Sequence, residues 1–287
     1  MLNQIYQAPQ NYRPYPQFGT INLYSNFGHN THHAGTVRVE KRYAVGLTVL
    51  ETYTFEKTID DCDADGTCTG VDYYNRRLEK ARAGYDITHH FLSTATYDFP
   101  FGRGRRFLNR GGVLNRIVGE WNGDWNIFLE SGPPASVTFA GSPNRYLTQG
   151  VYRPNAVAPG SGITPDWTMG PNRFPSSAQN PYLNINAFAY PAAFTVGTLG
   201  RNTYEAPGMV WMQFSLFKSF TIRERFKFTL RADGNNFPYA HWQLTNPNSV
   251  YNLSSALTFG RFTAERGTYA GIGNQRPHVV LGARIDF

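Results

Sequence analysis

The sequence predicts an all-β fold whose antiparallel strands cross a membrane as a transmembrane β-barrel. Three observations carry this. Apolar and polar residues alternate with a period of two in seven segments. No run of about 18 apolar residues exists, and mean hydropathy is −0.44, so no helical span is expected. Barrel strands escape that test because their lumen-facing half is polar. Finally, the connections alternate between very short and very long, as the two rims of an outer-membrane barrel do.

The strands follow in order. Val37, Val39 and Tyr43 alternate with Thr36, Arg38, Glu40 and Arg42. A tight turn from Tyr43 to Leu47 leads into Leu47, Val49, Tyr53 and Phe55, set against Thr48, Thr52, Thr54 and Glu56. Tyr85, Ile87, Phe91, Ala95, Tyr97 and Phe99 form a third apolar row, and Trp121, Trp125, Ile127 and Leu129 a fourth. Val210, Met212, Phe214 and Leu216 make a fifth. After a short polar turn come Phe226, Phe228, Leu230 and Ala232. Val279, Leu281, Ala283, Ile285 and Phe287 close the chain, with Val280 out of phase. A weaker eighth strand lies around Phe18 to Tyr24. Several of these reach the roughly 9–11 residues that a tilted membrane strand needs. No amphipathic helix is expected.

The long connections, about 59–82, 131–208 and 238–277, are rich in Gly, Pro, Asn and Ser. A soluble domain rarely carries three such loops without structure of their own. Pro100 to Arg116 breaks the pattern, being of medium length on the short-turn side. Aromatics near strand ends, among them Tyr43, Phe55, Phe99, Trp121, Phe220 and Phe287, suit interfacial girdles. Glu51 is a misfit on the apolar face. A soluble β-sandwich alternates likewise, but its turns should recur every 8–12 residues or so.

Composition agrees. The 287 residues carry a net charge of +7, but only 16% are charged, against about 25% in an average soluble domain. That argues against disorder across the chain. Met1 to Tyr6 has no basic start and no apolar core, so it does not read as a signal peptide.

Asp61, Asp63, Asp65 and Gly66 match the first half of an EF-hand calcium loop. Thr67 takes the seventh position through its carbonyl, and Asp72 the twelfth, where a longer Glu is usual. Weak calcium binding is the sharper expectation; a solvated acidic loop is the plainer one. Cys62 and Cys68, the only cysteines, lie in the same segment without zinc spacing. They form a small loop disulfide in an oxidising compartment, or remain two free thiols.

Arg103, Arg105, Arg106, Arg110 and Arg116 cluster after Pro100. A solvated rim is the plainer reading and anionic headgroup contact the sharper one. Nucleic acid is not an expected partner, because the aromatics follow the strand period instead of the arginines. His89 and His90 face opposite sides of a strand and cannot share a metal. No nucleophile elbow, P-loop or HExxH occurs, so no enzyme is expected. Charges such as Arg38, Glu40, Asp86, Asp98, Asp124 and Arg231 are expected to line the lumen. The loop from Ser131 to Gly208, with Trp167, Tyr182, Phe188 and Tyr190, is the best candidate for ligand capture.

Several stretches resemble the strand–turn–strand units of Oar-like TonB-dependent receptors. They include His33 to Tyr43 with Gly46-Leu47-Thr48, Tyr97-Asp98-Phe99-Pro100-Phe101-Gly102, Arg231-Ala232-Asp233-Gly234-Asn235-Asn236-Phe237 and Thr258-Phe259-Gly260. The closing Leu281 to Phe287 is similar to the terminal strand of outer-membrane proteins. The resemblance runs from about Phe18 onward. It implies the C-terminal part of a larger barrel, here residues 17–287, a partial barrel of about 7–8 strands, after an irregular segment 1–16. It also implies outer-membrane lipid, a plug, the remaining strands and the TonB complex as partners, and uptake of an unknown scarce nutrient. A truncated gene or a mis-called start would explain the absent plug. The alternatives are a non-transporting surface or adhesion barrel and, less favoured, a soluble β-sandwich binding module.

Overall fold

The computed structural model describes residues 14–18, 26–44, 46–63, 71–72, 75–109, 112–140, 152–157, 181–193, 195–222, 226–237, 250–262 and 277–287. The strands are β1 (Asn30–Ala44), β2 (Leu47–Asp60), β3 (Ala81–Arg82), β4 (His89–Asp98), β5 (Trp121–Glu130), β6 (Pro134–Ala135), β7 (Asn155–Ala156), β8 (Phe188–Ala189), β9 (Tyr204–Glu205), β10 (Met209–Ile222), β11 (Phe226–Asn235) and β12 (His278–Asp286). A short helix, α1, spans Val113–Val118.

All seven expected strands form one antiparallel sheet in the order β1-β2-β4-β5-β10-β11-β12, with β3 paired to the end of β2. Among the described residues β1 and β12 each pair on one side only, so the sheet is an arc and not a closed barrel. The weaker strand around Phe18 to Tyr24 falls almost wholly outside the described residues. Strand direction puts the β1–β2, β4–β5 and β10–β11 connections on one rim and the three long connections on the other.

The register aligns the apolar residues into rows across the sheet. One row is Val49, Ala95, Trp125, Phe214, Gly234 and Val279; the next is Leu47, Tyr97, Gly123, Leu216, Ala232 and Leu281. A period of two makes this outcome unavoidable once one pair is set, because every strand shows the same face at alternate residues. Phe99 covers Gly123 and Phe237 covers Gly234. Each aromatic ring fills the space that the missing side chain would leave open. Toward its two edge strands the apolar face has no described residue over it: Val37 is 62% exposed and Leu281 80%.

The opposite face carries charges that pair with one another. Glu40 receives Arg38 at 3.2 Å and Arg42 at 2.9 Å, and Arg231 bridges Asp233 at 2.6 Å and Asp124 at 3.6 Å. The adjacent histidines split as expected. His90 contacts Glu130 at 2.9 Å on the charged face, and His89 stacks with Tyr53 on the apolar one.

Three expectations are corrected. Tyr85 and Ile87 do not extend the third strand, which starts at His89. Asp86 is therefore not on the lumen face. Its buried carboxylate accepts from the Thr58 backbone N–H and from Arg82, which pulls the chain out of the ladder. A helix does occur, α1, in the connection that broke the length pattern. Finally, the long connections are folded, and the hydrophobic core of the described chain lies there.

Candidate functional site: a folded cap on the long-loop rim

The cap draws on all three long connections. Its core joins Val137 and Phe139 with Leu183, Phe188, Leu199, Tyr204, Tyr251, Phe259 and Phe262. Several aromatic edges meet aromatic faces. Phe188 lies 5.4 Å from Tyr204 and 5.7 Å from Phe259, and Tyr251 lies 5.8 Å from Phe262. Such arrangements place positive ring edges on negative ring faces. Burial and the nearby Tyr182 push the Tyr251 hydroxyl well above its ordinary range.

Long loops can be buried only if their backbone groups find partners. Here β6 pairs with β9 and β7 with β8, and further bonds link distant segments. Thr138 N donates to Tyr251 O and Leu253 N to Thr138 O, both at 2.9 Å; Tyr182 N donates to Gly260 O at 2.7 Å. Gly260 has a φ of +67° and lies so close to the Leu183 backbone that a side chain would collide.

Arginines satisfy the rest and tie the first long connection to the second. Arg153 is buried with Glu79 at 2.9 Å and also donates to Leu78 O and Leu199 O. Arg201 donates to Glu79 O at 3.0 Å and Asp60 O at 2.9 Å, and its guanidinium pairs with Asp60 and Asp63. Burial alone would lower the Arg201 pKa; the Asp63 and Asp60 carboxylates more than offset it and hold the charge. Asn202, at φ 51°, exchanges bonds with Ser136 and donates to Asp63 and Arg82 O. Arg82 joins Asp86 to Glu205.

The candidate calcium loop enters this clamp. Asp61 accepts from the His29 backbone N–H and from Arg76, both at 2.8 Å. Asp63 accepts from Gly84 N and Asn202 and pairs with Arg201. Asp72 follows Val71, whose N–H donates to Glu79 at 2.7 Å. Asp65, Thr67 and Cys68 lie outside the described residues, whereas Cys62 is disulfide-bonded. No group of three or more His, Cys, Asp or Glu side chains suited to a metal occurs among the described residues.

The loop chosen for ligand capture divides. Phe188 is core, and Tyr182, partly buried, packs against Phe262. Tyr190 remains 55% exposed, edge-on to Phe139 at 5.0 Å. Trp167 lies outside the described residues. Sequence reasoning missed Glu79, Arg153 and Arg201. Arg153 and Arg201 stood out only as charges in stretches otherwise poor in them, and Glu79 was hidden among the charges of Arg76 to Arg82.

An uncovered apolar face, a charged opposite face, short turns on one rim and a folded cap on the other define an outer-membrane β-barrel protein. A family comparison agrees: the model of the outer membrane beta barrel domain matches residues 2–276, and the chain belongs to that family. Its location is the cell outer membrane. Searches of curated proteins and of solved structures returned no match.

Proposed function

We propose that the chain supplies C-terminal strands and cap to a TonB-dependent transporter that takes up a scarce nutrient. The observation that carries this reading is the open arc. Among the described residues seven strands in register do not turn back on themselves, whereas an eight-stranded barrel would already be closed and filled by side chains. An arc of this kind suits a wide barrel whose charged face surrounds water and a plug. The resemblance to Oar-like receptors points the same way. On this reading the barrel is completed by further strands, the energy comes from the inner-membrane TonB complex, and the chain catalyses no reaction.

A second reading is a non-transporting surface barrel whose cap binds a partner. The folded core of the cap favours it, because rigid loops suit a docking surface. Sequencing the genomic DNA upstream of the Met1 codon separates the two. An open frame through a plug-like domain and a signal peptide supports transport. Closely spaced in-frame stops overturn it.

A further inference from the structure

The connection from Phe99 to Glu120 reaches the charged face through Arg105, which pairs with Asp98 at 3.2 Å, yet its other described residues expose an unusual set of side chains. Val113 is 75% exposed, Leu114 61% and Ile117 64%, all on α1; Phe107 and Leu108 are exposed beside them. In water such a helix would have no reason to form. Helices this short are not stable alone, and it buries no apolar side chain against the protein.

Its position is fixed by two hydrogen bonds. Lys218 Nζ donates to Arg116 O at 2.6 Å, and Trp121 Nε1 donates to Ile117 O at 2.9 Å. Trp121 pairs with Lys218, and Lys218 with Leu230, in a single row of the apolar face. Lys218 is 2% exposed, with its ammonium 4.9 Å from the Phe220 ring centre and 5.9 Å from that of Trp121. The last turn of α1 is therefore held against the lipid-facing side of the sheet, at the short-turn rim. Arg116 on α1, and Arg103 and Arg106 earlier in the same connection, are exposed.

We propose that this connection is an interfacial anchor: α1 lies in the periplasmic leaflet with its apolar side chains among the lipid, and the three arginines bind anionic phospholipid headgroups. Continuity with the lipid-facing sheet sets the depth, and charge complementarity sets the lipid class. An apolar helical face beside basic residues is how a helix rests in a membrane surface. A lysine and a tryptophan locked at the same level suit the interfacial zone. The inference rests on the outer-membrane family and is independent of transport.

The test uses the full gene product, purified from outer membranes and placed in nanodiscs of phosphatidylcholine with or without 30% phosphatidylglycerol, on the order of the charge of a bacterial leaflet. No cysteine is free, so an introduced one takes a spin label alone. Leu114→Cys and Ile117→Cys are compared with Val37→Cys on the lipid face and Leu257→Cys, which is 90% exposed on the cap. With phosphatidylglycerol, labels at 114 and 117 should show nickel accessibility severalfold below that at 257 and oxygen accessibility close to that at 37. Replacing Arg103, Arg106 and Arg116 by Gln, or omitting the anionic lipid, should move both toward water. Nickel access equal to that at 257 would overturn the proposal, and so would shielding from both reagents, which marks a protein cover. Lipid exposure unaffected by charge would overturn its anionic part.

Discussion

The sheet and the cap bury their apolar residues in opposite directions. Leu281 in β12 is 80% exposed, while Leu183 in the cap is fully buried. Both are ordinary leucines; what differs is the solvent. In hydrocarbon, an outward leucine costs nothing, and the constraint is that every N–H and C=O be paired within the structure. Register satisfies it for the strands inside the sheet, and no core is needed there. In water the cap must exclude its aromatics from solvent to offset the entropy of ordering long connections. One chain therefore contains a structure without an interior beside a small interior of the globular type.

The largest test of this contrast is electrostatic. Arg153 and Glu79 are buried against each other, and Glu79→Ala leaves a buried guanidinium without its charge partner. Removing one member of such a pair costs about 3–5 kcal/mol. The expected result is rapid hydrogen exchange and proteolysis in the cap, with strand amides still protected. Equal loss of protection in β10 and β11 would show that cap and sheet unfold as one unit.

A paired truncation sharpens it. Leu183→Ala should destabilise the cap by about 3 kcal/mol, as core leucines do. Leu281→Ala should leave cap protection unchanged and cost little in lipid, where the neighbours are mobile chains that can close the gap. The two variants are compared by hydrogen exchange in the same nanodiscs. Similar losses would mean that the β12 face is covered by protein.

This contrast also explains what was legible from residues alone. Period two is a local signal, and Val37-Arg38-Val39-Glu40 or Phe226-Lys227-Phe228-Thr229 reveals both strand and face without any knowledge of the rest. The short-turn rim was legible for the same reason. The cap was not. Val137, Leu183, Tyr251 and Phe262 come from segments far apart in the chain, and no periodicity joins them. Asp61 and Asp63 read as metal ligands because their spacing is local, whereas Arg76 and Arg201, which they meet, are set by tertiary structure. The helix α1 escaped because it spans fewer than two turns and its apolar side chains join no core among the described residues.

Glu51 gives a smaller effect, of opposite sign. It pairs with Val39 and Ser93 in an unbroken ladder, so no bulge turns it from the apolar face. The only bulge of β1 lies between Lys41 and Ala44. A carboxylate on a lipid face costs less than a lysine or arginine, and Glu51→Leu should stabilise the sheet by about 1 kcal/mol. Urea unfolding in lipid vesicles reads this directly. A neutral or destabilising result would place Glu51 against a cation supplied from outside the described residues.

The smallest effect is at the joint between sheet and cap. Partial burial would raise the Asp61 carboxyl, but the His29 N–H and the Arg76 guanidinium hold it below its ordinary value of 3.8. A folded-state value below the unfolded one contributes stability that is fully present above the unfolded value and lost as pH falls through the folded one. Protection near His29 and Arg76 should therefore hold from neutral pH down to about 4 and decline below it. Asp61→Asn should flatten that decline. Calcium would compete for the same carboxylates: to bind Asp61 and Asp63 it must displace Arg76 and Arg201. Calorimetric titration at pH 7 should show affinity no tighter than about millimolar, the weak end for such loops. A micromolar site would require the clamp to open, and cap protection measured with calcium present would then fall instead of rising.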